Sequence, residues 1–147
     1  MQLTGTRFGE IETDAERIIV LQSGLIGFPT ETRFVLLRPG AKTTVAWLQS
    51  LQTPALAFPI IESDRITPAY PSETKEALAG QAGIGAEAVS IFVVISVRPK
   101  STKVVANLLA PIVVDRTSGT GAQIVLDVKK YSASTPLVSS ALSEAAA

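Results

Sequence analysis

Glu62 and Asp64 stand two residues apart at the end of the run "ALAFPIIES", so an extended chain would place both carboxylates on one face. A pair of carboxylates is the equipment of glycoside hydrolysis, where one acts as acid and the other as base or nucleophile. The same pair also describes an ordinary solvated strand end, because acidic side chains mostly lie at the surface. Little else in the chain offers covalent chemistry. It contains no His and no Cys, and a Ser or Cys nucleophile usually recruits His as its base. No segment resembles a known Ser–Lys arrangement. The "GIG" at Gly83 to Gly85 follows a helical pattern rather than a strand, so it reads as a helix stop and not as a dinucleotide fingerprint. The "SGTG" at Ser118 to Gly121 lacks the lysine and the following helix of a phosphate loop, and reads as a hairpin.

Two amides are the more informative residues. Gln49 lies within "WLQSL" and Asn107 within "ANLLAPIVVD", both strand-like apolar runs. Each amide could tie down a bulge or strand end whose backbone groups would otherwise be unpaired. Each could instead face outward and bond to a partner. Trp47 and Phe58 alternate with small or polar residues and are expected in the core. Phe28, held between Gly27 and Pro29, is a large apolar group in a turn; it either plugs a barrel end or belongs to an interaction patch.

The elements that would position these residues are mostly strands. "FGEIET" (8–13) and "RIIVLQ" (17–22) come first, followed by a turn over "SGLIGFP". "RFVLLRPG", "TVAWLQSL" and "ALAFPIIES" follow with alternating or β-branched patterns. "SETKEALAG" is the one helix candidate, with Ser72 as cap, Glu73 at the positive end of the dipole, and Gly80 or Gly83 as stop. "AVSIFVVISV" (88–97) is the most apolar strand and is expected to be central. "STKVVANLLAPIVVD" predicts a strand, a kink near Pro111 and a second strand. "RTSGTGAQ" predicts a hairpin loop, and "IVLDVKKY" the last strand. Many short strands with turn signals give a mainly β, single-domain barrel with an antiparallel or mixed sheet and one short helix. The domain is expected to span 1–137. The tail over 138–147 is expected to be helical or disordered, and a chain stopped after Leu137 is expected to keep its fold.

Composition sets the limits. Of 147 residues, 46% are apolar, enough for a core without metal or disulfide. Lys plus Arg and Asp plus Glu each number 13, giving zero net charge and no electrostatic reason to expect a nucleic acid or anionic membrane as partner. The absence of Cys excludes disulfides and zinc–thiolate sites and fits a cytosolic protein. "MQLTGTRFGE" does not read as a secretory signal, and no apolar stretch approaches the length that spans a bilayer. No cofactor or metal site is expected.

Several segments, in order, resemble the bacterial flagellar assembly factor FliW family. They are "GLIGFP" (24–29), "FVLL" (34–37), "WLQSL" (47–51), "LAF" (56–58), the neighbourhood of Pro68 and Tyr70, "NLLAPIVVD" (107–115), "GAQIVL" (121–126), and Tyr131 followed by Pro136-Leu137. The resemblance implies a small barrel-like domain and a non-enzymatic regulator in the cytoplasm. It implies that the protein binds flagellin and, once flagellin is exported, binds the RNA-binding repressor CsrA and lifts repression of flagellin translation. Members of the family are usually acidic before the strand matching Val89 to Val97. Here that segment is "GIGAEAV", with one acid, so shape and apolar contact carry more of any affinity for CsrA.

The expected partner-binding residues are Phe28, Gln49, Ser50, Asn107, Leu109 and Pro111. Asn107→Ala is expected to destabilise the protein, and Gln49→Ala to leave it folded and weaken binding. A monomer is expected. The alternatives are a hydrolase using Glu62 and Asp64, and a structural, oligomer-forming β domain.

Overall fold

The computed structural model describes residues 2–6, 8–12, 18–38, 44–66, 70–97 and 103–137. A small hairpin comes first, β1 (Gln2–Thr6) with β2 (Gly9–Glu12). The strands β3 (Ile18–Leu21), β4 (Arg33–Leu37), β5 (Ala46–Ser50) and β6 (Ala57–Glu62) then form an antiparallel meander. A 3-10 turn (Ser63–Arg65) and helix α1 (Ser72–Ala82) lead to β7 (Val89–Val97). The chain ends its described part with β8 (Val104–Ala106), β9 (Ile112–Asp115), β10 (Thr120–Gln123) and β11 (Thr135–Pro136).

The meander becomes a barrel through two pairings far apart in sequence. β10 lies parallel to β3, with Thr120 opposite Val20, and antiparallel to β9. β9 in turn pairs β7, with Ile91 opposite Val113. The ring therefore runs β7-β6-β5-β4-β3-β10-β9 and back to β7, seven strands in a mixed sheet. β7 is central as the sequence predicts, touching β6 along one edge and both β8 and β9 along the other.

Alternation divides the apolar residues into two cores. Inside the barrel lie Ile19, Leu21, Phe34, Leu48, Ile60, Phe92, Ile112 and Val114. Their neighbours Ile61, Ile91, Val93 and Val113 point outward to a second cluster, covered by Leu78 of α1 together with Ile66, Tyr70 and Ile84. β7 and β9 are buried on both faces, which explains why their sequences are nearly continuous apolar runs. Trp47 points outward from the barrel and is half-buried against the ring of Phe8, 5.4 Å between centroids.

Three expectations need correction. Ser72 is the first helical residue and makes no capping bond; Pro71 precedes it as the cap, where extended backbone suits its fixed φ. The helix does stop at Gly83, whose φ of 73° is left-handed, and Gly80 lies within it. "IVLDVKKY" is not a strand, and the last long strand instead occupies Thr120–Gln123, inside the predicted loop. The backbone explains this shift. Ile124 N–H and Leu126 N–H still donate to the carbonyls of Pro111 and Leu109, but Pro111 has no N–H to return, so the ladder fades there. The tail over 138–147 lies outside the described residues.

Tyr70 ties the outer core to the segment after β8. Its buried hydroxyl donates to the Leu108 carbonyl at 2.6 Å, and its ring meets Tyr131 edge-on. Burial, and then the neighbouring Tyr131, push the Tyr70 phenol above its usual range. The unfolded chain therefore ionises this group near pH 10 while the folded chain keeps it protonated. Above that pH the unfolded state holds fewer protons, so stability falls as pH rises. Urea midpoints between pH 8 and 11 are expected to decline in the parent and to decline less steeply in Tyr70→Phe. That variant also starts about 1–3 kcal/mol lower at pH 8, because the Leu108 carbonyl loses its buried donor.

Candidate functional site

One end of the barrel gathers most of the predicted contact residues. The loop 22–30 folds over it. Leu25 and Phe28 exchange N–H···O bonds at 3.2 and 2.8 Å, forming a tight turn with Ile26 and Gly27 at its tip. Gly24 permits this because its φ is +67° and a Cβ there would lie 2.5 Å from the Phe28 carbonyl oxygen. Leu25 is buried, Phe28 is 38% exposed and Ile26 58% exposed. The Phe28 ring meets Phe58 edge-on, centroids 5.1 Å apart, and Phe58 in turn meets Phe34 inside the barrel. Phe28 thus caps the core while leaving part of its ring outside.

Asn107 to Pro111 is a large bulge beside this loop. β8 and β9 run along the same edge of β7, and between them five residues are looped out opposite Val93 and Val94. The amide does the work that a ladder would do. Asn107 Oδ1 accepts the N–H groups of Leu109 (3.1 Å) and Ala110 (3.2 Å), while Asn107 N–H donates to the Val94 carbonyl. Leu108 N–H finds the Ser132 carbonyl. The Ala110 carbonyl accepts Gln123 Nε2 at 2.9 Å, and Gln123 Oε1 accepts Ile26 N–H at 2.7 Å. Gln123 is therefore the bridge between the bulge and the loop. Sequence reasoning missed it, because it ends "RTSGTGAQ", which reads as a hairpin loop and not as a strand.

Asn107→Ala is expected to leave the Leu109 and Ala110 donors without their partner and to cost about 1–3 kcal/mol. At this chain length that is a fall in melting temperature of roughly 3–10 °C, checked by circular dichroism melting. An unchanged melt would show that the bulge does not depend on the amide.

Gln49 occupies a different place from the one expected. It shares the outer face with Trp47, but it is fully buried beneath the residues that follow it. Its Nε2 lies 2.9 Å from the carbonyls of Ser50 and Pro54 and 3.2 Å from that of Leu56. Its Oε1 is buried without a partner. An outward contact by Gln49 is therefore corrected to a clamp between the end of β5 and the loop 51–56, where its amide supplies a donor to the Pro54 carbonyl. Ser50 is likewise fully buried; its hydroxyl donates to the carboxylate of buried Glu31 (3.3 Å) and accepts the N–H groups of Gln52 and Thr53. Pro111 is buried too. Of the six expected contact residues, Phe28 is exposed and Asn107 and Leu109 are half-buried, whereas Gln49, Ser50 and Pro111 shape the end from beneath. Exposed Ile26 and Val125 flank the bridge that Gln123 makes. Ile26 carried the same signal as Phe28, an apolar residue in a glycine-bounded turn.

The acid pair does not form a site of its own. Asp64 has left the strand for the 3-10 turn and bonds Lys75 at 2.5 Å, while Glu62 bonds Arg38 at 3.1 Å. Each carboxylate answers to its own cation. Among the described residues no group of three or more acids could hold a metal ion, and no helix is long and apolar enough to cross a membrane.

Comparison with known proteins agrees with this architecture. The profile of the family described as "FliW protein" matches residues 2–137. A protein of Desulfitobacterium hafniense strain DSM 10664 / DCB-2 named flagellar assembly factor FliW is 37% identical over 133 residues, covering 90% of this chain and 88% of its own. The protein of that name from Geobacter sulfurreducens is 34% identical over 140 residues, covering 92% and 86%. The crystal structure of a flagellar assembly factor FliW superposes with a TM-score of 0.79 at 31% identity, covering 94% of this chain and 97% of that one. A barrel shared with a solved member, relatives alike over nearly their whole length, and a profile match running from β1 through Leu137 together place this chain in the FliW family.

Proposed function

We propose that this protein is a non-enzymatic flagellar assembly factor of the bacterial cytoplasm that binds flagellin and, when free of it, captures the translational repressor CsrA. The observation that carries the reading is family membership over nearly the whole chain, with relatives named as flagellar assembly factors. The end formed by Ile26, Phe28 and Leu109 supports it. Apolar groups exposed in whole or part, on a backbone braced by the half-buried amides of Asn107 and Gln123, make a preformed docking surface, which limits the ordering cost of association. Zero net charge supports a protein partner over direct RNA binding. The protein acts as a monomer, with one domain through residue 137.

Calorimetry with purified flagellin is expected to give one-to-one binding, and an electrophoretic shift with flagellin leader RNA to give none. A titration without heat of binding at several temperatures, or a direct RNA shift, would overturn the reading. Purified CsrA added to the same RNA should release it when this protein is present in excess; RNA that stays bound would remove CsrA from the proposal.

A further inference from the structure

The end of the barrel opposite Phe28 is open. A cavity of about 540 Å³ enters there and reaches the inner core. Its floor is apolar, made by Ile19, Leu36, Phe92 and Val114. Its rim carries Arg38 and Glu62 on one side and Ser90 and Arg116 on the other. A concave apolar space of this size with a few convergent polar groups, in the mouth of a β-barrel, has the form of a small-molecule site.

The rim chemistry selects the ligand's head. Each of the two guanidinium groups brings five N–H donors. Four acceptors engage them: Glu62 Oε1 takes Arg38 at 3.1 Å, and Arg116 donates to the carbonyls of Val89 and Glu87 and to Ser90 Oγ. Three of the four lie on Arg116, and all three are uncharged, so no carboxylate in its contacts balances its charge. The fourth charged group of the cavity, Asp115, turns its Oδ1 to the N–H groups of Thr117 (2.8 Å) and Ser118 (3.4 Å). Glu62 is engaged by Arg38. Two arginines and two acids thus balance in charge around the mouth, but Asp115 is drawn into its own turn by two backbone N–H groups, whereas Arg116 has no carboxylate among its contacts. A guanidinium without a carboxylate partner above an apolar floor fits an anionic head on an aliphatic tail.

We infer that the open mouth of the barrel binds an aliphatic carboxylate, with the chain against Ile19, Leu36, Phe92 and Val114 and the carboxylate on Arg116 and Arg38. This site is separate from the docking end and does not depend on the proposed partners.

Octanoate and octylammonium, which share a tail and differ in charge, test it by amide chemical shifts of the full-length protein. Octanoate is expected to give saturable shifts clustered at Ser90, Phe92, Val114, Asp115 and Gly119, and octylammonium at least about tenfold weaker ones. Arg116→Gln should weaken octanoate by about tenfold, and Arg38→Gln should weaken it as well. Because Arg116 also ties down backbone, the charge comparison on the unaltered protein stands as an independent readout. Equal binding of the two probes, shifts that do not saturate, or shifts centred on Phe28 instead of the mouth would each overturn the inference.

Discussion

Gly24→Ala is expected to lower the melting temperature by about 10 °C and to abolish the proposed flagellin binding. The backbone at Gly24 is left-handed, which costs an L-residue with a side chain about 1–2 kcal/mol. A Cβ would also lie 2.5 Å from the Phe28 carbonyl oxygen and 2.7 Å from the Pro29 carbonyl, backbone atoms that no side-chain rotation can move aside. The turn would have to open, and the Leu25–Phe28 bonds with it. Together these put the loss near 3 kcal/mol, which at this size gives the stated shift. Phe28 and Ile26 ride on that turn, so the proposed docking surface moves even if the barrel survives. Circular dichroism melting and a flagellin titration check the two halves. A variant that melts within about 2 °C of the parent and still binds would show that the loop tolerates another path.

Gln49→Ala is expected to be nearly as damaging, and through stability before binding. The carbonyls of Ser50, Pro54 and Leu56 share its amide nitrogen, and the Leu56 carbonyl also accepts Ser50 N–H. Truncation leaves them without that donor and opens a void beneath the loop, together about 2–4 kcal/mol. Gln49→Glu separates the two causes. It keeps the volume but turns a donor into a charge facing carbonyl oxygens, so it should melt lower than the alanine variant at neutral pH. If Gln49→Ala melted like the parent while losing flagellin, the amide would be a contact after all and the loop would have to lift to expose it.

Most strands were legible because half-buried strands alternate and doubly buried ones do not. β3 to β7 and β9 follow their apolar patterns within a residue or two. β10 was hidden, since "TGAQ" has no β-branched run; it is a strand because β3 and β9 hold its two edges, which no local pattern records. Nor could periodicity find the parallel β3–β10 pair or the return of β9 to β7. At the proposed docking end, Phe28 stood out by being apolar in a turn, and Asn107 by preceding a proline that must break a ladder. The burial of Gln49 was not legible, because an outward direction on a strand says nothing about what the next loop lays over it. Gln123 needed the fold, which brings it into a hydrogen bond with Ile26, 97 residues away.

The parallel seam between β3 and β10 also fixes an order of assembly. Val20 and Thr120 meet across most of the chain, so the ring cannot shut until β10 has been made. Contacts this distant in sequence slow folding, because chain entropy is lost before they form. On a ribosome the meander β3 to β6 can pair early, yet β3 waits with one bare edge through the synthesis of about a hundred further residues. Such an edge is an invitation to pair with another chain. A nascent chain interrupted before Thr120 should therefore aggregate rather than persist as a partial barrel, and dilution during refolding should raise the yield of monomer.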